Sequence, residues 1–256
     1  MKPSQACADA LETTVALFDQ QVRRTGLAWN YAKYVSALGA VESVVPLGDV
    51  QATLDVGAGA GVYALAMAVL GKSSHAVDTW AEYDPSNPMG PREPLMRRLA
   101  ENKVAIQILD LMKDPLPYHD GSFDVCFCMD VIEHVPKPKA LLDQIWRVTR
   151  GGGWLVLETP NAARLANRAR IVAGRTVYHR LSDWYHGAAF YGHLREYTIA
   201  EVRQMLDWAR FQVVSLTTHN AALKGRQSAL SQAYCAATWW HCSLRNEMLA
   251  IARKLP

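Results

Sequence analysis

Short apolar runs alternate with amphipathic stretches along most of the chain, from residue 52 onward. Six runs have the length of buried strands: 52–56, 74–78, 104–109, 123–129, 153–158 and 211–216. Three stretches between them repeat apolar residues at helical spacing: 61–71, 92–102 and 139–149. Strands that alternate with helices are typical of βαβ units, whose strands run parallel. The pattern therefore predicts an α/β fold built on a mostly parallel sheet.

Two regions depart from this rhythm. Residues 6–45 have helical periodicity, so we expect an N-terminal helical cap over residues 1–45 that covers the cofactor or the substrate mouth. Residues 160–197 are basic and aromatic, and they indicate an insertion after the fifth strand that serves as a lid over the substrate pocket. Thr198 and Glu201 then have the spacing of a capping box, which predicts the start of a helix.

The last part of the chain contains a helical stretch at 227–242 and a final strand within "NEMLAIARK". The helix is expected to pack on its own fold, and a helix that binds a partner or a membrane surface is the alternative. Neither an internal repeat nor a low-complexity linker interrupts the sequence. Residues 1–256 are therefore expected to form a single domain.

Composition and charge narrow the class of protein. Half of the 256 residues are apolar and a fifth are charged, which is typical of a globular chain. The net charge of +3 neither demands nor excludes an acidic ligand. Five cysteines lack both CxxC and zinc-site spacing, the start of the chain has no secretory signal, and no apolar run reaches about 18 residues. We therefore expect a cytoplasmic protein with reduced thiols and no transmembrane segment.

The stretch "LDVGAGAGVYALAMAVLG" places glycines at 57, 59 and 61 between a predicted strand and a predicted helix. Glycine adopts backbone angles that other residues avoid, and it lets a ligand touch the main chain. A GxGxxG dinucleotide fingerprint would need glycine in place of Val62, and the stretch lacks the lysine of a P-loop. Asp78 ends the next predicted strand, where a carboxylate binds ribose hydroxyls in open parallel sheets. A dinucleotide site and a core turn without a ligand are the alternatives.

Together these motifs resemble the class I S-adenosylmethionine-dependent methyltransferases, over roughly residues 50–217 and the last strand. "LDVGAGAG" is similar to the family's first motif, "HAVD" to its acidic second-strand end and "ILDL" to its adenine-side acid. "FDVCFCMDVIEHVPKP" and "LLDQIWRVTRGGGWLVLETPN" resemble its fourth and fifth strands. The resemblance implies a Rossmann-like fold with a seven-stranded, mostly parallel sheet and helices on both faces. In this family the last strand is antiparallel and lies between the fifth and sixth.

The resemblance also implies which residues hold S-adenosylmethionine. The candidates lie in the glycine loop and at the ends of the first four strands: Asp55, Gly57, Ala58, Gly59, Gly61, Asp78, Thr79, Trp80, Asp110, Leu111, Met129 and Asp130. Asp55 is expected near the methionine ammonium, Asp78 on the ribose and Asp110 beside the adenine amine. Met129 and Asp130 are expected near the sulfonium. Trp80 packs either on the adenine or in the core. Asp55 as a cap of the turn and Asp110 as a plain strand end are further alternatives.

Methyl transfer to a hydroxyl group benefits from a general base, and histidine has a suitable pKa. His134 in "DVIEHV" and His193 in "YGHLREYT" are the catalytic candidates. The alternatives are a hydrogen-bonded helix start for His134 and an ion-paired turn with Arg195 and Glu196 for His193. Some related quinone-biosynthesis O-methyltransferases bind magnesium at the positions that match Asp130, Glu133 and His134, but no metal is expected here.

Arginines crowd the predicted insertion among aromatic residues: Arg164, Arg168, Arg170, Arg175 and Arg180, with Tyr178, Trp184, Tyr185 and Tyr191. They indicate either a solvated face or a lid that grips a phosphate or carboxylate and stacks on a ring. The expected acceptor is a small molecule that is phosphorylated, sugar-like or aromatic, and the low net charge disfavours nucleic acid. O-methylation is favoured. N- or C-methylation, or a non-catalytic S-adenosylmethionine-binding partner subunit, is the alternative, and an oligomer is left open.

Overall fold

A computed structural model describes residues 3–17, 27–81, 92–178, 181–186, 192–221 and 228–256. The strands of its sheet are β1 (Ala52–Val56), β2 (Ser73–Asp78), β3 (Ala105–Ile108), β4 (Phe123–Met129), β5 (Thr149–Pro160), β6 (Phe211–His219) and β7 (Glu247–Lys254). The α-helices are α1 (Gln5–Leu17), α2 (Leu27–Glu42), α3 (Val62–Val69), α4 (Arg92–Glu101), α5 (Pro138–Val148), α6 (Leu165–Val172), α7 (Leu181–His186), α8 (Ile199–Trp208) and α9 (Ala229–Thr238). Short 3-10 turns cover Ile132–His134 and Cys242–Leu244.

The seven strands form one sheet in the order β3–β2–β1–β4–β5–β7–β6. The first five strands pair in parallel with their neighbours. β7 is antiparallel to both β5 and β6, between which it lies. This order confirms the predicted fold class, including the position of the last strand. The order of the strands along the sheet changes direction at β1, since β2 and β3 lie on one side of it and β4 lies on the other. Open parallel sheets bind ligands in the crevice at such a point.

Every residue of β4 is buried, because helices cover both faces of the sheet. Val125 and Phe127 contribute to one apolar core, while Cys126 and Cys128 contribute to the other. The two cysteines therefore share a face, and both are reduced and buried. A continuous apolar run such as "FDVCFCM" is typical of a strand buried on both faces.

The N-terminal helices pack on the face that carries α3. Leu11 of α1 and Leu38 of α2 lie in the same buried cluster as Leu65 of α3. The predicted helical region at 6–45 thus contains two helices, and residues 18–26 lie outside the described part of the chain. None of the described helices is long and apolar enough to cross a lipid bilayer.

Several predicted elements have different bounds in the structure, and β6 extends to His219, beyond its predicted end at residue 216. β5 runs from Thr149 to Pro160, so it is longer than the predicted 153–158. The helix expected at 227–242 ends at Thr238, whose buried hydroxyl accepts a hydrogen bond from the Asn220 amide. The chain then becomes extended at His241, whose ring accepts the Ser243 N–H and opens the second 3-10 turn. The capping box of Thr198 and Glu201 is confirmed at the start of α8.

Candidate active site

The glycine loop connects β1 to α3 and is fastened to the neighbouring strand. The N–H groups of Gly57 and Ala58 donate to the carbonyl of Val77 at 2.8 and 3.1 Å. Gly57 and Gly61 have φ of +70°, and a Cβ there would lie 2.5 Å from Val131 and 2.7 Å from Leu99, respectively. Glycine is therefore required at both positions by conformation and by packing.

Gly59 differs from these two glycines because it faces open space. Its φ is +50°, and a Cβ on it would meet nothing within 4 Å. Its N–H and carbonyl groups are both held from the next strand. Asp78 accepts the Gly59 N–H at 2.8 Å, and the Trp80 indole donates to the Gly59 carbonyl at 2.7 Å. The loop is thus rigid beneath a space in which a ligand can approach the main chain.

The end of β2 carries three of the predicted cofactor residues. Asp78 also accepts the N–H of Trp80 at 2.8 Å, while the Thr79 hydroxyl accepts the N–H of Ala81. The Trp80 side chain is 1% exposed and belongs to the core on the α3 face. Its position matches the core alternative, in which Trp80 supports the glycine loop from behind.

Asp55 is buried at 2% exposure and accepts the N–H of Ala64 in the first turn of α3. Burial, opposed by this hydrogen bond and reinforced by the charge of Asp78, raises the pKa of Asp55 to about 7. The geometry is that of the turn-capping alternative. Contact between Asp55 and a methionine ammonium stays a prediction.

The end of β3 lies next to the end of β2. The Leu109 N–H donates to the carbonyl of Asp78, which brings Asp110 and Leu111 to the same edge of the sheet. Asp110 accepts the N–H of Met112 and pairs with Lys113 at 2.8 Å, and its pKa is lowered by these contacts. Leu111 packs on the core beneath.

Met129 and Asp130 end the central strand β4. Met129 is 8% exposed, and the Asp130 N–H donates to the carbonyl of Glu158 on β5 at 2.9 Å. Asp130 has a positive φ of 55°, so its side chain turns away from the strand direction. Its carboxylate forms a short ion pair with the ammonium of Lys33 on α2.

This ion pair belongs to a group of charges that sequence reasoning missed, in which the Asp130 side chain is 42% exposed and the other members are more deeply buried. The Lys33 ammonium lies 3.6 Å from Glu158 Oε1 and 3.9 Å from Glu247 Oε1. His219 Nε2 lies 3.0 Å from Glu158 Oε1, and His219 Nδ1 lies 3.4 Å from Glu247 Oε2. We call Lys33, Asp130, Glu158, His219 and Glu247 the Lys33 cluster.

The Lys33 cluster joins α2 to the ends of four neighbouring strands. Burial raises the pKa of Glu247 to about 7 in spite of Lys33. For Glu158, Lys33 and His219 outweigh burial and lower the pKa. One signal was available in the sequence, since Glu158 is a lone acid in the apolar run "WLVLETP" and such an acid needs a partner. Lys33 gave no signal, because it stands in an ordinary helical pattern.

His134 and His193 lie side by side, with ring centroids 4.9 Å apart. His193 Nδ1 is 3.0 Å from Glu196 Oε1, and Arg164 binds both carboxylate oxygens of Glu196. These partners outweigh burial and lower the pKa of Glu196 to about 2, while the bond to Glu196 raises the pKa of His193. His134 Nδ1 lies 3.2 Å from the carbonyl oxygen of Gly192. The structure thus brings both catalytic candidates together.

The magnesium set found in some quinone-biosynthesis relatives does not assemble here. The carboxylate of Asp130 is engaged by Lys33. Buried Glu133 instead places Oε1 3.9 Å from His134 Nε2 and 4.0 Å from His193 Nε2. Among the described residues, the groups with ligand atoms within 4.8 Å are Glu133–His134–His193 and Glu158–His219–Glu247, and Asp130 is in neither.

Comparison with known proteins agrees with this geometry. Residues 29–216 match a family described as "Methyltransferase domain". The ubiquinone biosynthesis O-methyltransferase of Xanthomonas oryzae pv. oryzae (strain PXO99A) is 30% identical over 127 residues, which are 48% of this chain and 49% of that relative. The chain thus spans about half the length of the curated relatives it matches.

Solved structures share the fold at low sequence identity. An S-adenosylmethionine-dependent methyltransferase from Mesorhizobium loti has a TM-score of 0.60 at 18% identity, covering 87% of this chain and 99% of that one. One from Methanosarcina mazei has a TM-score of 0.55 at 18% identity, covering 80% and 92%. The fold and the glycine loop are those of the class I S-adenosylmethionine-dependent methyltransferases. Since the family match covers most of the chain, the protein belongs to the methyltransferase-domain family.

Proposed function

We propose that this protein transfers a methyl group from S-adenosylmethionine to a hydroxyl oxygen of a small-molecule acceptor. The observation that carries the proposal is the bare main chain at Gly59, which faces open space and is held by the carboxylate of Asp78. A backbone cradle with an acid at the end of the next strand suits a nucleoside whose ribose hydroxyls donate to that acid. Asp110 at the neighbouring strand end suits an exocyclic amine.

The chemistry requires alignment more than covalent help from the protein. When bound, S-adenosylmethionine supplies a methyl group that is already electrophilic on its sulfonium. The residues of the chain hold the reactants in line, and orientation of this kind can supply roughly 7–11 kcal/mol of a barrier. Met129 and Asp130, at the end of the central strand, are proposed to line the space where the two reactants meet.

His193 is proposed as the general base, with His134 beside it. If His193 donates its Nδ1–H to Glu196, its Nε2 is the atom that accepts a proton from the acceptor hydroxyl. Glu196 is fixed in turn by Arg164, so the imidazole has one orientation. A base oriented by a carboxylate in this way favours an acceptor whose proton must be removed, hence O-methylation.

The identity of the acceptor is proposed only as a class. The partial match to ubiquinone biosynthesis O-methyltransferases supports a small-molecule acceptor that is methylated on oxygen. The N-terminal helices and the described part of the 160–197 insertion are proposed as cap and lid, because Lys33 and Arg164 connect them to the site. We further propose a cytoplasmic location.

Titration calorimetry with S-adenosylhomocysteine tests the cofactor site. The wild-type protein is expected to bind, and Asp78→Asn is expected to weaken binding by about 10-fold or more, because a charged acceptor of two hydroxyl donors is lost. Asp207→Asn, an exposed change on α8, is the matched control and should bind like wild type. Absence of any binding heat in the wild type, or binding of a nicotinamide dinucleotide in its place, would overturn the proposal.

Turnover distinguishes an enzyme from an inert cofactor-binding subunit. Release of S-adenosylhomocysteine is measured with a panel of phenols and sugar alcohols as acceptors. His193→Ala should leave the dissociation constant for S-adenosylhomocysteine unchanged and lower turnover by about 100-fold or more. Equal turnover in this variant would remove His193 as the base.

A further inference from the structure

Exposed apolar side chains concentrate in two segments, namely the described residues of 171–185 and those of 230–240. Eight of the fifteen large exposed apolar residues lie there: Ile171, Val172, Tyr178, Leu181, Tyr185, Leu230, Trp239 and Trp240. Val172 is 89% exposed and Trp239 is 72% exposed. Single exposed apolar residues are ordinary, but a concentration of this kind marks an interaction surface.

The two segments are fastened to each other. Arg168 on α6 donates to the Ser243 hydroxyl at 2.8 Å, and the Ala166 N–H donates to the Tyr234 hydroxyl on α9. Arg245 donates to the carbonyl of Trp239 and so fixes the turn that follows α9. The exposed residues of α6 and those around the end of α9 therefore lie on adjacent parts of one face.

The sequence of this face is predominantly basic, and Asp183 between Leu181 and Tyr185 is the acidic residue within its described segments 161–178, 181–186 and 228–246. Residues 161–178 and 228–246 contain no aspartate or glutamate. Arg168, Arg170 and Arg175 are exposed. Among the described arginines of α6 and its flanks, Arg164 pairs with a described carboxylate, that of Glu196, and Arg168, Arg170 and Arg175 pair with none of the described ones. A surface with cationic side chains next to tryptophan and aliphatic side chains binds to the interface of an anionic bilayer.

We propose that this surface, which we call the arginine–tryptophan face, docks on anionic phospholipid bilayers. Tryptophan rings sit at the level of the headgroups, and the arginines pair with lipid phosphates while their stems cover apolar surface. Aliphatic side chains such as Val172 and Leu230 enter the acyl boundary, where they replace exposure to water. A nucleic acid offers similar phosphates but no apolar region that would bury these aliphatic side chains, so the bilayer is the favoured partner.

Vesicle co-sedimentation of the full chain tests the proposal without any knowledge of the methyl acceptor. Vesicles of phosphatidylcholine alone are compared with equimolar phosphatidylcholine and phosphatidylglycerol, at low and high salt. The protein is expected to bind the anionic vesicles at least about 10-fold more tightly, and salt should weaken that binding.

Matched variants separate the two components of the face. Arg170→Gln with Arg175→Gln should lower affinity for anionic vesicles by about 5-fold per residue, and Trp239→Ser with Trp240→Ser should weaken it by about 10-fold or more. The controls are Arg203→Gln and Trp208→Ser, two exposed residues of α8, which should bind like wild type. Unfolding temperatures confirm that each variant is folded.

Three outcomes would overturn the proposal. The first is no binding to anionic vesicles, and the second is equal loss of binding in the control variants. The third is that the wild-type protein does not bind vesicles but does self-associate or bind a nucleic acid, and that Trp239→Ser with Trp240→Ser abolishes this other interaction. The residues proposed to bind S-adenosylhomocysteine lie outside this face, so the face variants should bind that ligand like wild type, and failure here and failure of the proposed function are distinguishable.

Discussion

The ammonium of Lys33 lies against the carboxylate of Asp130, so a helix from the beginning of the chain is tied to the end of the central strand. Two more carboxylates, Glu158 and Glu247, lie within 4 Å of the same ammonium. Because α2 also packs on the core beside α3, this ion pair connects the N-terminal helices to the proposed site of methyl transfer.

Replacement of Lys33 by methionine should destabilise the protein by about 3–5 kcal/mol, because removal of one partner leaves buried charges uncompensated. Without the ammonium, the carboxylates of the cluster hold their protons more strongly in the folded state. Stability is therefore expected to fall further as pH rises through these raised pKa values. Chemical denaturation at about pH 5 and about pH 8 measures both effects. Lys139→Met is the control, since Lys139 pairs with Asp143 at the surface and should change stability by about 0.5 kcal/mol or less. Equal stability of the two variants would contradict the prediction.

Asp55 predicts a pH dependence of the same sign in the wild-type protein, because burial also raises its pKa. Its pKa is about 7 when folded and close to 3.8 when unfolded, so the folded state binds the extra proton. The stability that this group contributes is complete below about pH 4 and is lost as pH rises through 7. Asp55→Asn lacks this loss, so its stability relative to wild type should increase by about 1.4 kcal/mol per pH unit over that range. Denaturation curves that stay parallel between the two proteins would refute this, and Asp207→Asn serves as the neutral reference.

Gly59→Ala separates backbone strain from ligand contact. Gly59 and Gly174 both have positive φ and open space at the Cβ position, so alanine at either should cost roughly 1–2 kcal/mol of stability. Only Gly59 lies in the proposed cofactor cradle. Calorimetry with S-adenosylhomocysteine should therefore detect a loss of about 10-fold or more in Gly59→Ala and none in Gly174→Ala. A similar loss of binding in both variants would point to general destabilisation.

Glu196→Gln should lower the pKa of His193, because a neutral amide no longer stabilises the imidazolium. The titration of the His193 ring, followed by NMR, measures the change directly. A base must be neutral to accept a proton, so the rise of methyl-transfer rate with pH should move to lower pH together with this pKa. Glu93→Gln, on the surface of α4, provides the comparison. A His193 titration that is unchanged in Glu196→Gln would exclude this coupling.

The parallel sheet was predictable because each of its strands has a local signal. "FDVCFCM" is continuous and apolar, and the glycines after "LDV" mark a turn that only small residues allow. That the glycine loop and Asp78 lie at the same edge of the sheet was predictable in outline for the same reason. The hydrogen bonds between Asp78 and Gly59 were not, because they join two separate segments and leave no periodic trace in the sequence.

The Lys33 cluster shows where sequence reasoning fails. Four of its members lie on four different elements and Asp130 directly follows a fifth, and all except Glu158 stand in a pattern that is ordinary for their position. Only Glu158, an acid inside an apolar strand, hinted that a buried cation must exist elsewhere. The end of the last helix was also missed, since Trp239 and Trp240 continue its apolar spacing although both are exposed.

The interior place of β7 constrains how a newly made chain reaches its final state. Among the described strands, β6 pairs with β7, which is synthesised after it. Until Glu247–Lys254 has emerged, β5 presents a bare edge and β6 has no strand to pair with. Bare edges recruit strands from other molecules. During synthesis the edge of β5 is therefore open to pairing with other molecules until β7 inserts between β5 and β6.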